Sequence, residues 1–168
     1  MSEKTYNVLF LCTHNSARSI LAEALLNHLG KGRFHAYSAG SSPRENQKPN
    51  PLALETLSKV GVSIEGLYSK SWDEFSAPDA PRMDLIITVC DNAAGEVCPV
   101  WPGHPIAAHW GIPDPAEVKG DDEAAKKAFA DACMVLSRRI TLMVNLPFEK
   151  LDHLALQKEL VDIGWKNA

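Results

Sequence analysis

The sequence predicts an α/β fold: a flavodoxin-like, three-layer domain with a four-stranded parallel sheet of order 2-1-3-4 and helices on both faces. Short apolar runs of strand length alternate with longer segments of helical period, which is typical of parallel βαβ units. The 168 residues suit one domain, since domains hold roughly 150 residues. No repeat or long linker divides the chain, so we expect a single domain over 1–168 whose last part, 149–168, is a helical extension.

The strands are predicted where apolar runs are bounded by glycine, proline or polar residues. They are expected at 6–11, 33–38, 85–89 and 106–110. The helices are predicted where apolar residues recur every three or four positions. They are expected from about 20 to Gly30, from Pro51 to about 60, from 122 to about 146 and from 151 to 163. Pro51 suits a first helical turn, and Cys133 falls on the apolar side of the long helix, so we expect it in the core.

Charge and hydropathy argue against two classes of partner. Lysine and arginine total 17 against 21 aspartates and glutamates, whereas a nonspecific nucleic-acid binder needs a basic surface, so we expect no nucleic-acid partner. No apolar run comes near the ~20 residues of a membrane span. Residues 1–4 lack the basic start of a signal peptide. We expect a cytoplasmic protein without a membrane partner, whose four cysteines serve chemistry or packing rather than structural disulfides.

Three chemically useful residues follow predicted strands. Cys12 follows the first strand, Cys90 the third and Asp114 the fourth. The carboxyl ends of parallel strands lie at one edge of the sheet, where ligands of such folds bind. Because the first and third strands are neighbours in the flavodoxin-like order, Cys12 and Cys90 are expected within reach of each other.

The segment from Cys12 to Arg18 predicts an oxyanion site. It leaves an apolar strand and opens a helix, so its backbone amides and the helix dipole favour a tetrahedral anion. Arg18 can hold two oxygens of the anion with its planar guanidinium, and the same positive field favours the thiolate of Cys12. The loop between them consists of Thr13, His14, Asn15, Ser16 and Ala17. The alternative is that Cys12 is a small buried hydrophobe and Arg18 a surface residue.

Side chains in and after this loop have separate expected roles. The hydroxyls of Ser16 and Ser19 are candidates to donate hydrogen bonds to the Cys12 thiolate. Asn15 tolerates the left-handed backbone that such a loop can require. His14 either adds a cation beside the oxyanion or faces solvent.

Motifs at several positions of the chain form a recognisable set. They are Val8-Leu9-Phe10-Leu11-Cys12 through Arg18-Ser19, Ala22-Glu23-Ala24, Tyr37-Ser38-Ala39-Gly40 and Asp114-Pro115-Ala116. Over about residues 5–146 the chain resembles the low-molecular-weight protein tyrosine phosphatase superfamily. The resemblance implies that Cys12 is the nucleophile, Arg18 the oxyanion ligand and Asp114 the general acid. Without it, an aspartate before proline is more often a turn residue.

A further series of residues favours one branch of that superfamily. Thr88-Val89-Cys90, Cys98-Pro99 and His109-Trp110-Gly111 are similar to the thioredoxin-coupled arsenate reductases built on the phosphatase fold. The similarity implies that Cys12 attacks arsenate, that Cys90 then attacks Cys12 and releases arsenite, and that Cys98 takes over the disulfide. It implies thioredoxin as electron donor, with glutaredoxin and glutathione as the other candidate, and no metal or organic cofactor.

The two later cysteines have other interpretations. Cys90 and Cys98 can both be inert flanks of a loop. They can also bind a metal together with His104 and His109, although their spacing matches no usual zinc pattern.

The function as a whole also has alternatives. The chain can be a phosphatase for phosphotyrosine or small aryl phosphates, with Tyr68 and Trp72 as candidates for the aromatic wall of its pocket. It can instead be an oxyanion or metalloid sensor that binds without turnover, for which the general acid Asp114 is unnecessary.

One position departs from the reductases in a way that concerns a cation. Asn15, Glu23 and Ser38 match positions that bind potassium beside the loop in some of these enzymes, and Lys70 falls where those enzymes carry an aspartate. The ammonium group can replace the cation and support the loop, so we predict that potassium does not activate the protein. The alternative is that Lys70 is a surface lysine.

Overall fold

A computed structural model describes residues 5–89 and 105–166. Its sheet has four parallel strands in the order β2-β1-β3-β4, which confirms the predicted topology. The strands are β1 (Tyr6–Cys12), β2 (Phe34–Gly40), β3 (Leu85–Thr88) and β4 (Ile106–His109). The described helices are α1 (Arg18–Leu29), α2 (Pro51–Lys59), α3 (Asp73–Ser76), α4 (Asp122–Val144) and α5 (His153–Lys166). The interpretations that concern Cys90, Cys98 and His104 lie outside the described residues.

Helices cover both faces of the sheet, as predicted. Alternate residues of β1 point to opposite faces. Val8 and Phe10 lie in the larger core cluster, which also takes residues from α1, α2, α4 and α5. Leu9 lies in a smaller cluster with Phe75 of α3. Helix α3 was not predicted, because its four residues are too short to show a helical period.

Local sequence explains where two helices begin. Pro51 stands at the start of α2, and the side chain of Asn50 caps the helix by accepting a hydrogen bond from Leu52 N at 2.8 Å. Helix α4 is capped in the same way by Asp121. Cys133 of α4 is buried in the core as predicted, and burial raises the pKa of its thiol, which keeps the thiol protonated and unreactive.

The last helix is part of the main core. Leu156, Leu160 and Ile163 of α5 are buried in the larger cluster, and α5 packs against β4. At the other end of the sheet, Phe148 packs on the rings of Tyr6 and Phe34, with ring centroids 4.7 and 5.3 Å away. These aromatic contacts fix the turn between α4 and α5 to the amino ends of β1 and β2. In the described part of the chain, no helix is long and apolar enough to cross a membrane.

Candidate functional site

The loop between Cys12 and Arg18 lies at the carboxyl edge of the sheet and packs against the end of β2. Gly40 pairs with Cys12 in the register of the two strands. A Cβ atom on Gly40 would lie 2.6 Å from Thr13 O and 3.0 Å from Asn15 N. Only glycine therefore lets β2 touch the backbone of the loop.

Carbonyl groups of the loop are bonded to neighbouring segments. Ser41 N donates to Cys12 O at 3.0 Å, and Ser42 N donates to Thr13 O at 2.8 Å. Ser69 Oγ donates to Asn15 O at 2.6 Å, and Asn50 N donates to Ser16 O at 2.7 Å. These oxygens are thus held by the loops that surround the site. Because these carbonyl oxygens accept hydrogen bonds from outside the loop, their partial negative charges are compensated there, which is compatible with an anion inside the loop.

Arg18 connects the loop to the segment that carries Asp114. Its Nη1 donates to Ile112 O at 3.0 Å, and its Nη2 lies 3.5 Å from Asp114 Oδ2. Its Nε is buried and has no hydrogen-bond partner among the described residues. Because a buried donor without an acceptor is costly, this atom marks a place where an oxyanion oxygen fits. The alternative of Arg18 as a surface residue is wrong.

Asp114 caps a short turn and also faces Arg18. Its Oδ1 accepts from Ala116 N at 2.9 Å and caps the short 3-10 turn Pro115–Glu117, which is a turn role. Its Oδ2 faces Arg18, and the side chain is 25% exposed. A carboxyl group at this position can reach a substrate that enters the loop from solvent.

Cys12 and the residues of its loop range from buried to partly exposed. The Cys12 side chain is 5% exposed, Ala17 and Ser19 are buried, and the residues of intermediate exposure are Thr13, His14 and Ser16. Ser19 Oγ accepts from Asn15 Nδ2 at 2.8 Å, so the Ser19 hydroxyl proton stays available for another acceptor. His14 is neither fully exposed nor buried, so both of its interpretations stay open.

Asn15 links the loop to two other segments. It has a left-handed backbone with φ 57°, which asparagine accepts more readily than most residues. Besides its bond to Ser19, Nδ2 donates to Ser38 Oγ at 2.9 Å, and Oδ1 accepts from Lys70 N at 2.9 Å. A single buried side chain therefore ties the loop to α1, β2 and the segment at Lys70.

Lys70 is buried, so its interpretation as a surface lysine is wrong. Its Nζ donates to Ser38 O at 3.0 Å and to Tyr68 O at 2.9 Å, and lies 3.7 Å from Glu23 Oε1. Glu23 also accepts from Ser38 Oγ. Burial raises the pKa of Glu23 and lowers the pKa of Lys70, while the attraction between the two charges opposes both shifts.

Replacing Lys70 by methionine is expected to lower the free energy of unfolding by about 3–5 kcal/mol, because it leaves the Glu23 carboxylate buried without its partner. The double variant Glu23→Gln/Lys70→Met is expected to recover part of this loss, since no charge remains. Denaturant unfolding measures both effects, with Lys48→Met as the exposed control. A Lys70→Met variant as stable as the unaltered protein would show that the ammonium carries no structural role.

The two aromatic candidates for a pocket wall lie in different environments. Trp72 is 9% exposed and belongs to the smaller core cluster. Tyr68 is 52% exposed, and its hydroxyl donates to Glu74 Oε1 at 3.1 Å. Only Tyr68 is accessible enough to contact an aryl group.

Arg139 is a residue at this edge that the sequence did not single out. It is fully buried, and its Nη1 donates to Trp110 O at 2.9 Å and to Gly111 O at 3.3 Å. A charged residue in a long amphipathic helix predicts a solvated position. The buried position of Arg139 depends on its hydrogen bonds to the segment that follows β4. The local sequence pattern of α4 contains no sign of these bonds.

Strand β3 ends beside the residue that precedes Cys12. Val89, the last described residue before Cys90, donates to Leu11 O at 2.9 Å, and Leu11 directly precedes Cys12. Thr88 pairs with Leu11 across the two strands. The end of β3 therefore lies next to the end of β1.

A sequence model described as low molecular weight phosphotyrosine protein phosphatase matches residues 7–155. The chain belongs to this phosphatase family. The chain is similar in sequence to an arsenate reductase of Bacillus licheniformis, with 39% identity over 73% of this chain and 82% of the relative. The solved arsenate reductase of Archaeoglobus fulgidus is 30% identical, with a TM-score of 0.60 over 83% of this chain and 99% of that chain. A thioredoxin-dependent arsenate reductase of Corynebacterium glutamicum is 28% identical, with a TM-score of 0.55 over 84% of this chain and 65% of that chain.

The match to the phosphatase family includes every part of the described site. Cys12, Arg18 and Asp114 all lie within residues 7–155. The phosphatase family match ends inside α5, so most of that helix lies beyond it.

Proposed function

We propose that this protein reduces arsenate to arsenite, using Cys12 as nucleophile and a thiol–disulfide relay through Cys90 and Cys98. The observation that carries the proposal is the position of Arg18, which reaches from the Cys12 loop to within 3.5 Å of Asp114 and has a buried Nε with no acceptor among residues 5–89 and 105–166. In this proposal Cys12 is the nucleophile, Arg18 the oxyanion ligand and Asp114 the proton donor. The names of the relatives supply the class of oxyanion.

In the first step, arsenate binds in the loop and Arg18 holds its oxygens. The Cys12 sulfur forms a bond to arsenic while one bond from arsenic to a hydroxyl oxygen breaks. That oxygen leaves as water after taking a proton from Asp114, which acts as a general acid. The product is a covalent arseno-cysteine, and no electron has yet reached arsenic.

In the second step, the Cys90 thiolate forms a bond to the Cys12 sulfur. The bond between Cys12 and arsenic breaks, and its electron pair stays on arsenic, which falls from the +5 to the +3 state and leaves as arsenite. The two thiols have lost two electrons and form a disulfide. The hydrogen bond from Val89 N to Leu11 O supports this step, because Cys90 and Cys12 are the next residues in the sequence after Val89 and Leu11.

In the third step, Cys98 attacks the Cys90 sulfur and releases the Cys12 thiolate. The resulting Cys90–Cys98 disulfide is reduced by an external dithiol, for which thioredoxin is the leading candidate, and glutaredoxin with glutathione the second. A thioredoxin-dependent relative with the same fold favours the first. The exchange consumes one dithiol for each arsenate.

Consumption of NADPH by thioredoxin and thioredoxin reductase, with arsenate as substrate, tests the proposal. We expect multiple turnovers with the unaltered protein and none with Cys90→Ser, since arsenic then has no second thiol to reduce it. Cys133→Ala, which changes the buried thiol of α4, is expected to keep the activity.

Two outcomes would contradict parts of the proposal. If arsenate drives NADPH consumption only with glutaredoxin and glutathione, thioredoxin is not the donor. If neither system responds and p-nitrophenyl phosphate is hydrolysed equally by the unaltered protein and Cys90→Ser, the protein is a phosphatase with uninvolved later cysteines.

Support of the loop by Lys70 belongs to the same proposal. Its Nζ lies between Ser38 O, Tyr68 O and Glu23, a set of oxygens that also suits a monovalent cation. Because the ammonium group already supplies the positive charge, the catalytic efficiency is expected to be equal in potassium and sodium salts. A several-fold gain in potassium would contradict this role.

A further inference from the structure

The segment from Trp110 to Ile112 connects β4 to Asp114, and its amides are bonded to the end of β3. Trp110 N donates to Thr88 O at 2.7 Å, and Ile112 N donates to Val89 O at 3.2 Å. These bonds extend the pairing of β3 and β4 beyond the last regular strand residues. The segment therefore leaves the sheet along a fixed path.

The carbonyls of the same segment are held by two arginines. Arg139 donates to Trp110 O and Gly111 O, and Arg18 donates to Ile112 O. Three consecutive carbonyls thus accept hydrogen bonds from two guanidinium groups. One belongs to Arg18, at the end of the Cys12 loop, and the other to Arg139 of α4. Hydrogen bonds with charged donors are stronger than neutral ones, so this backbone is held firmly from both sides.

Helix α5 is seated directly on the start of the segment. The indole of Trp110 is fully buried, and its Nε1 donates to Leu160 O at 2.9 Å. Four residues later in the helix, a Cβ on Gly164 would lie 2.4 Å from His109 O and 2.9 Å from Trp110 Cδ1. The helix can approach the backbone of 109–110 this closely only because residue 164 is glycine.

We propose that α5 is a positioning element for Asp114, and that Trp110 and Gly164 are the positioning residues through which it acts. Helix α5 packs on Trp110 and fixes its position. Trp110 in turn fixes the backbone carbonyls that Arg139 binds. The segment fixed in this way positions Asp114 beside Arg18. This inference rests on the proposed function, in which Asp114 is the proton donor. Most of α5 lies beyond residue 155, so a segment outside the family match sets the geometry of the reaction.

The test uses Gly164→Ala and Trp110→Phe in the full-length protein, each with Asp114 intact and with Asp114→Asn. Alanine favours a helix more than glycine does, so any loss in Gly164→Ala comes from the contact with His109 rather than from a weaker helix. Lys158→Ala is the control, because Lys158 lies on the exposed side of the same helix. The measured quantity is arsenite formed in a single turnover, which needs no external electron donor because the thiols of Cys12 and Cys90 supply the two electrons.

We expect both substitutions to slow arsenite formation by about 10- to 100-fold when Asp114 is present, because small displacements of a reacting group cost this much. In the Asp114→Asn background both substitutions are expected to leave the rate of arsenite formation unchanged. The carboxyl group that they would displace is already absent there. The affinity for phosphate and the rate with Lys158→Ala are expected to stay unchanged. Equal losses in both backgrounds, or no loss in either, would overturn the inference.

Amide hydrogen exchange gives a second readout that does not depend on catalysis. Exchange over 110–116 is expected to become faster in Gly164→Ala and to stay unchanged in Lys158→Ala. Unchanged exchange in Gly164→Ala would overturn the inference even if the rate fell. If the unaltered protein forms no arsenite, the proposed function fails, and the exchange result alone decides whether α5 holds this segment.

Discussion

Replacing Cys12 by serine is expected to lower arsenite formation by on the order of 10⁴-fold or more, because the nucleophile and the first half of the disulfide are both lost. A serine hydroxyl at this position cannot form the sulfur–arsenic bond, and it cannot be attacked by Cys90. The loop itself keeps its shape, since Gly40 and the bonded loop carbonyls hold it from outside. Arsenite formed in a single turnover measures the effect.

Binding of phosphate, measured by calorimetry, is the matched control for Cys12→Ser. We expect its affinity to stay close to that of the unaltered protein, because Arg18 and the loop backbone remain. A loss of phosphate binding would mean that the substitution disturbs the loop. Arsenite formation that persists in Cys12→Ser would show that another thiol is the nucleophile.

Replacing Arg18 by lysine is expected to lower the catalytic efficiency with arsenate by about 10²- to 10³-fold, the cost of removing a preorganised oxyanion ligand. A lysine keeps the positive charge, but one ammonium cannot hold Ile112 O, face Asp114 and bind two oxygens of the anion together. The variant is therefore expected to lose oxyanion affinity as well as rate. Steady-state kinetics and phosphate calorimetry measure the two losses.

Arg138→Lys makes the same chemical change on the exposed side of α4 and serves as its control. It is expected to leave both quantities unchanged. An Arg18→Lys variant with full activity would mean that positive charge alone is sufficient and that the planar guanidinium geometry has no special role.

The part of the fold that carries the site could be predicted because its signals are local. The apolar run that ends at Cys12 gives a buried strand, and the polar residues after it give the loop. Alternation of strands and helices then gives the parallel sheet and the edge at which Cys12 and Asp114 follow their strands. These inferences need only the period of the hydrophobic pattern and the handedness of βαβ units.

Other parts of the site could not be predicted, because they arise only from packing between distant segments. The pattern of α4 places Arg139 among charged positions, yet the carbonyls at 110–111 make it a buried ligand of backbone. The periodicity of the last helix predicts that it forms, but not that it packs on Trp110. Helix α3 is too short to show a period at all.

The Cys12 loop and Arg18 bear on how the proposed reaction distinguishes arsenate from phosphate. In the proposed function, Arg18 and the Cys12 loop recognise a tetrahedral shape and a negative charge, and phosphate has both in nearly the same measure as arsenate. Selectivity in the proposed reaction therefore arises after binding, because thiols reduce arsenic from the +5 to the +3 state and do not reduce phosphorus. In that reaction phosphate is a competitor that occupies the loop without being reduced, so the rate of arsenite formation depends on the ratio of the two anions rather than on the amount of arsenate alone.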